Sequence, residues 1–128
     1  WYGFDDGIYS AARFIELMDK NNCSADELIN SLPVSVNTPE LFIAVPEQEK
    51  FTMMQTLCGN FKLDGAKINK LDGLRVSLEG GWGLIRASNT TPNLMLRFEA
   101  ENEITLQKLK ELFHHEIARI LPQLTLPF

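Results

Sequence analysis

The segment from Gly73 to Ala87, GLRVSLEGGWGLIRA, constrains the fold more than any other part of the chain. Apolar and polar residues alternate on both sides of Gly80-Gly81, a dipeptide able to take the positive φ angles of a tight hairpin turn. A two-residue turn there predicts three facing pairs on a core face: Leu74 and Ala87, Val76 and Ile85, Leu78 and Gly83. The other face then holds Arg75 opposite Arg86. An antiparallel hairpin is the expected centre of the fold.

The remaining segments show the spacing of apolar residues that is typical of helices and strands. Helices are predicted over 5–20, over 47–59 with Gly59 ending it, and over 103–121, and Ser24 and Glu27 form the capping box of a further short helix. The predicted apolar stripes of the helices over 47–59 and 103–121 are Phe51, Met54, Leu57 and Cys58, and Leu106, Leu109, Phe113, Ile117 and Ile120. Strands are predicted over 41–45, and over 93–101 with Leu94, Leu96, Phe98 and Ala100 facing inward. This order of elements indicates an α+β fold, an antiparallel four-stranded sheet with helices packed on one face.

Composition limits the classes of function. The 128 residues suffice for one modest domain, or for one domain with a fragment of a neighbour. The net charge of −5 disfavours a nucleic-acid module or a binder of anionic membranes, and charges interrupt every apolar run before it could span a bilayer. The two cysteines, Cys23 and Cys58, lack metal-ligand spacing and suit a reducing cytoplasm. The opening Trp1-Tyr2-Gly3-Phe4, without an initiator Met, suggests a piece of a longer protein or a processed chain.

A dense polar stretch, RASNTTPN, occupies residues 86–93 between two predicted strands. Arg86 offers a planar two-pronged donor that matches a phosphate, and hydroxyl or amide donors follow at Ser88, Asn89, Thr90 and Thr91. The same residue types are common in ordinary strand connections. The residues alone leave both interpretations open, a phosphate-binding loop and a plain turn.

Other polar features have simpler structural explanations. His114 and His115 are adjacent on a helix and point in different directions, so they do not make a metal site. Asp5 or Asp6 is explained by helix capping. No motif places a nucleophile with a base, so no catalytic residue and no metal ligand is predicted in this chain.

The stretch from Asp72 to Leu109 closely resembles the C-terminal domain of the α-D-phosphohexomutases, above all the bacterial phosphomannomutase/phosphoglucomutase branch. The resemblance rests on DGLRVSLEGGWGLIRASNTTPNLMLRFEAENEITLQKL, and in that family R-x-S-N-T-x-P is the phosphate-binding loop. It implies a TATA-binding-protein-like fold for residues 34–128. The opening WYGFDDGIYSAARFIELM resembles the last helix of the third domain, so residues 1–33 are expected to be the end of that domain and a linker.

The resemblance also implies a function. Such enzymes interconvert hexose 1-phosphates and hexose 6-phosphates of mannose or glucose through a hexose 1,6-bisphosphate, using a phosphoserine and Mg²⁺ held by other domains. Carried over by position, Arg86, Ser88, Asn89, Thr90 and Thr91 would bind the phosphate that is not being transferred. The expected partners are a phosphosugar and the other three domains of the same cytoplasmic enzyme, with no nucleic acid and no membrane. The fragment alone is expected to be inactive.

One alternative of another class stays open at this point. The chain could be a stand-alone phospholigand-binding or interaction module without catalysis. The apolar stripe of the opening helix, which includes Ile8, Ile15 and Met18, argues against it, because a stand-alone module offers that stripe no obvious partner.

Overall fold

The computed structural model of the chain describes residue 3 and residues 5–128. These residues form two compact units, and the boundary along the chain lies between Val34 and Ser35. The expectation drawn from the opening residues Trp1, Tyr2 and Phe4 lies outside the described part of the chain. Each unit has its own elements.

The first unit is a pair of helices, α1 (Gly7–Asn21) and α2 (Ala25–Asn30). Asp6 begins α1 by accepting the backbone N–H of Tyr9 at 2.9 Å. The predicted capping box of α2 is confirmed, since the Ser24 hydroxyl and the Glu27 carboxylate each accept the other residue's N–H. No side chain on either helix is buried within the described residues, and the apolar stripe of α1 includes exposed Ile8 and Ile15.

The second unit has six strands and two helices. In chain order they are β1 (Val36–Asn37), β2 (Leu41–Ala44), α3 (Lys50–Asn60), β3 (Lys67–Asn69), β4 (Leu74–Leu78), β5 (Gly81–Ala87), β6 (Asn93–Ala100) and α4 (Glu103–Ile120). All strand pairs are antiparallel, in the order β1-β6-β5-β4-β3, and β2 also pairs with β6. The predicted α+β class is confirmed, whereas the strand count rises from four to six. β1 and β3 are two and three residues long, too short to show an alternating pattern.

The register of the central hairpin differs from the prediction by two residues. Leu74 faces Ile85, Val76 faces Gly83 and Leu78 faces Gly81, so each residue keeps its predicted face but changes its partner. Arg75 faces Leu84, not Arg86. Of the two glycines of the Gly80-Gly81 dipeptide, only Gly80 takes a positive φ, +78°. Gly81 already belongs to β5, where a Cβ atom would come within 2.7 Å of the Glu99 carbonyl oxygen and of Leu109.

The core lies between one face of the sheet and helices α3 and α4. The predicted inward residues of β6 are confirmed as buried, together with most of the α4 stripe: Leu94, Leu96, Phe98, Ala100, Leu106, Leu109, Phe113 and Ile117. Gly83 lets α4 approach closely, since a Cβ atom there would lie 2.6 Å from the Phe113 ring. Helix α3 continues through Gly59 to Asn60 and leaves Phe51 exposed, contrary to the predicted stripe. The opposite face of the sheet carries Arg75, Arg86 and Arg97.

Candidate anion-binding site

The polar loop of residues 88–92 connects β5 to β6, at the end of the sheet opposite the Gly80 turn. Ala87 and Leu94 are the last pair of the ladder, and Ser88 then donates its N–H to the Asn93 carbonyl oxygen at 3.0 Å. A second contact comes from Val45, whose N–H donates to the Pro92 carbonyl oxygen at 3.0 Å. Both ends of the loop are therefore fixed by the backbone.

Ser88 organises this loop from the inside. Its side chain is buried, with the residue 5% exposed, and its hydroxyl oxygen accepts the N–H of Thr90 at 3.3 Å and of Thr91 at 3.2 Å. The same oxygen lies 2.8 Å from the Thr91 hydroxyl, which also accepts from the Asn93 amide at 3.1 Å. The Ser88 hydroxyl holds the turn together, so its contribution to binding an anion would be to shape the loop.

The other predicted side chains lie toward solvent. Asn89, Thr90 and Thr91 are exposed at the tip of the loop, where their amide and hydroxyl groups could donate to a ligand. Ser88 and Thr91 are joined by a hydrogen bond. The structure thus brings the Ser88 and Thr91 side chains together. The side chains of Asn89 and Thr90 are exposed at the tip, and Thr90 is bonded to Ser88 through its backbone N–H.

Arg86 lies on the sheet face opposite α3 and α4, next to Met95 of β6. Its side chain is 39% exposed, and one guanidinium nitrogen lies 3.4 Å from the Asp72 carboxylate. A guanidinium has five N–H donors, so this single contact leaves donors for a second partner. Gly73 lets its backbone approach β5 closely, because a Cβ atom there would lie 2.3 Å from the Ile85 carbonyl oxygen and 2.6 Å from Arg86.

A cleft of about 230 Å³ adjoins Arg86 on this face. It is lined by two arginines, two carboxylates and three apolar residues: Arg86, Arg97, Glu40, Asp72, Leu84, Met95 and Leu96. Arg97 was not among the residues predicted from sequence to bind an anion. Its alternation on β6 had shown only that it faces outward, and its place beside Arg86 depends on the pairing of Leu84 with Arg97.

Lys50 is the second residue that sequence reasoning missed. The first residue of α3, it is 1% exposed and donates to the Thr91 carbonyl oxygen at 3.2 Å. Its ammonium nitrogen also lies 2.7 Å from the Glu47 carboxylate. The spacing could have indicated its burial, since Lys50 precedes Met53, Met54 and Leu57 on the same helical stripe.

Neither a metal-ligand cluster nor a membrane-spanning helix is found in the described part of the chain. Its His, Cys, Asp and Glu side chains form no group of three or more that could hold a metal ion. None of the helices described there has the length and apolar character needed to cross a membrane. Cys23 and Cys58 are both free thiols.

Comparison with known proteins places this arrangement in context. The family described as "Phosphoglucomutase/phosphomannomutase, C-terminal domain" matches residues 40–116. A phosphomannomutase/phosphoglucomutase of Pseudomonas putida is 46% identical over all 128 residues, which are 28% of its length. A phosphoglucomutase of Neisseria meningitidis is 43% identical over 115 residues, 88% of this chain and 25% of that protein.

A solved structure is similar over the whole chain. The crystal structure of a phosphoglucomutase/phosphomannomutase family protein from Burkholderia thailandensis is 39% identical with a TM-score of 0.82. The match covers 100% of this chain and 27% of that protein. The chain therefore spans little more than a quarter of the relatives that it matches.

Proposed function

This chain belongs to the phosphoglucomutase/phosphomannomutase family and carries its C-terminal domain, and from this premise we propose that it binds the non-transferred phosphate of a hexose phosphate. The parent enzyme would interconvert hexose 1-phosphates and hexose 6-phosphates of mannose or glucose through a hexose 1,6-bisphosphate. In that enzyme, a phosphate gripped by this domain would orient the sugar and help to close the active-site cleft.

The observation that carries the proposal is the preformed loop. Because the Ser88 hydroxyl accepts the N–H groups of Thr90 and Thr91, the backbone at the tip of the loop is held in its turn, which reduces the entropy that binding would cost. Asn89, Thr90 and Thr91 supply neutral donors there. Arg86, two residues before Ser88, supplies a cation on the same end of β5. Arg97, which lines the same cleft, adds a second positive charge.

Magnitudes indicate that this domain alone binds weakly. A hydrogen bond to a charged group contributes about 1.5–3 kcal/mol, whereas association costs roughly 4–15 kcal/mol before any loop is ordered. A few such bonds on an open surface leave an affinity of about 1 mM. Strong binding would require the other three domains.

The catalytic groups would come from outside this chain. The phosphoserine and the Mg²⁺ site implied by the family would lie in other domains. Mg²⁺ would stabilise charge on the transferring phosphoryl group. Helices α1 and α2 would then be the end of the preceding domain. Two free thiols are consistent with work in the cytoplasm.

An NMR titration of the ¹⁵N-labelled chain with glucose 1-phosphate tests the proposal, with glucose as the phosphate-free control. We expect weak, phosphate-dependent shifts at residues 86–91 and none with glucose. Arg86→Ala should abolish the shifts without unfolding the chain, and Arg86→Lys should restore them only in part, because an ammonium lacks the two-pronged geometry. Shifts that persist in Arg86→Ala would contradict the assignment of this residue.

Activity gives a second check. The chain alone should show no mutase turnover, because the phosphoryl donor is absent from it. In the full-length enzyme, Arg86→Ala should weaken substrate binding and slow turnover while the fold remains intact. Turnover by the pure 128-residue chain would overturn the assignment.

A further inference from the structure

Lys50 is a buried cation that the proposed binding loop does not include. Its side chain is 1% exposed, while that of its carboxylate partner Glu47 is 56% exposed. The ammonium donates to the backbone carbonyl oxygen of Thr91, across 41 positions of sequence. Lys50 therefore joins the first turn of α3 directly to the loop.

Burial of this ammonium is not explained by the packing of α3. Removing a charged amine from water is costly, and an apolar side chain of similar length fills such a position at no electrostatic cost. The methylene stem could serve the core as well with a methionine in its place. The two polar partners of the ammonium are the Glu47 carboxylate and the Thr91 carbonyl oxygen of the loop.

The contact with the loop has a consequence for an anion. The Thr91 carbonyl oxygen carries a partial negative charge that would repel a phosphate, and Lys50 holds this oxygen toward α3. The N–H of Asn93 donates to the same oxygen at 2.8 Å, which strengthens the hold. The charge of the ammonium is balanced by the Glu47 carboxylate at 2.7 Å, so the contact with the Thr91 carbonyl oxygen carries the effect.

We propose that Lys50 is a positioning residue for the phosphate-binding loop, acting through the Thr91 carbonyl group. The inference rests on the proposed function of residues 86–91. Lys50 itself does not touch the ligand. Its removal should weaken the binding of a phosphosugar by about tenfold, the equivalent of one charge-assisted hydrogen bond.

The test compares two variants of the full-length enzyme that break the same ion pair. Lys50→Met removes the ion pair and the bond to Thr91, whereas Glu47→Gln removes the ion pair and keeps that bond. The dissociation constant of glucose 1-phosphate is measured by calorimetry, alongside KM and kcat. We expect an increase in Kd and KM of about tenfold for Lys50→Met and less than about twofold for Glu47→Gln.

Loss of stability alone would give another pattern. A variant that merely folds poorly lowers the active concentration and the apparent kcat, and leaves Kd of the folded fraction unchanged. Equal effects of the two variants would overturn the proposal, because the ion pair of α3 would then be the cause. An unchanged Kd in Lys50→Met would overturn it as well.

Two further variants complete the design. If Lys50→Met does not fold, Lys50→Gln gives the same measurement, since its side chain is one bond shorter and carries no charge, so it cannot reach the Thr91 oxygen at 3.2 Å without a backbone shift. Arg86→Ala separates the two proposals. If it leaves Kd unchanged, the proposed function fails; if it weakens binding and Lys50→Met does not, only the role of Lys50 fails.

Discussion

The hydroxyl oxygen of Ser88 lies 2.8 Å from that of Thr91 and accepts the backbone N–H of the same residue at 3.2 Å. This pair closes the loop upon itself. We expect Ser88→Ala to destabilise the second unit by about 1–2 kcal/mol, because the loss of one hydroxyl leaves the N–H groups of Thr90 and Thr91 without their partner. Hydrogen exchange followed by NMR should show faster exchange of these two amides, and chemical denaturation should show the loss of stability.

Thr90→Ala is the matched control for this prediction. Thr90 is exposed, and its backbone N–H, not its hydroxyl, makes the bond to Ser88. The change should leave the stability within about 0.5 kcal/mol of the wild type. If Thr90→Ala accelerated amide exchange as much as Ser88→Ala, the Ser88 hydroxyl would not be the centre of the loop.

Gly73 permits the close contact that supports Arg86. It has a φ of +76°, and a Cβ atom there would lie 2.3 Å from the Ile85 carbonyl oxygen. Gly73→Ala should therefore cost about 3 kcal/mol or more in the free energy of unfolding, since backbone strain and a backbone clash add together. Urea denaturation measures this cost.

Gly65 isolates the contribution of the dihedral angle. Its φ of +75° is nearly the same, but nothing lies within 4 Å of the position of a Cβ atom. Gly65→Ala should cost only about 1–2 kcal/mol. Equal losses for the two variants would show that the contact with β5 contributes nothing.

Glu116 ties α4 to the end of α3 and gives stability a pH dependence. Its carboxylate accepts from the Arg119 guanidinium at 2.9 and 2.6 Å and from the Lys62 N–H at 3.1 Å. The hydrogen bonds with Arg119, followed by that from Lys62, lower the pKa of Glu116 below its ordinary 4.5, although burial opposes the shift. The contribution is thus fully present above pH 4.5 and is lost as the pH falls through the lowered pKa.

Glu116→Gln tests this linkage. The variant should lose about 1–3 kcal/mol of stability near neutral pH. The gap from the wild type should shrink as the pH falls below 4.5, because the wild-type carboxylate then becomes protonated as well. Urea unfolding of both proteins at a series of pH values gives the gap directly. A constant gap across the series would contradict the role of the charge.

Local patterns predicted the elements of this fold, and tertiary contacts decided the details. The Ser24–Glu27 box was readable because its partners are three residues apart. The hairpin register was not readable, since the sequence allows a turn at Gly80-Gly81 as well as the observed turn at Glu79-Gly80. The choice depends on the approach of Leu109 and Glu99 to Gly81, and these residues come from other elements.

The candidate site shows the same division. The stretch from Arg86 to Thr91 stands out in sequence, and its use as a phosphate-binding loop stays a prediction. Sequence reasoning could not separate Ser88 from its neighbours, because burial alone distinguishes its hydroxyl from those of Thr90 and Thr91. Lys50 lies too far along the chain for any local pattern to link it to the loop.

The connections of the β5–β6 loop also imply an order of assembly. Its internal bonds join residues at most five positions apart, as from Ser88 to Asn93, so they can form with the hairpin itself. The contacts from Val45 and Lys50 close only when distant parts of the chain arrive. We therefore expect the hydrogen bonds within the loop to form early in folding, and its contacts with Val45 and Lys50 to form later. A local opening that detaches α3 would break the bond from Lys50 to Thr91 and leave the β5–β6 hairpin intact. A ligand that binds the loop only when this bond is made would therefore slow hydrogen exchange in α3, although it does not touch that helix.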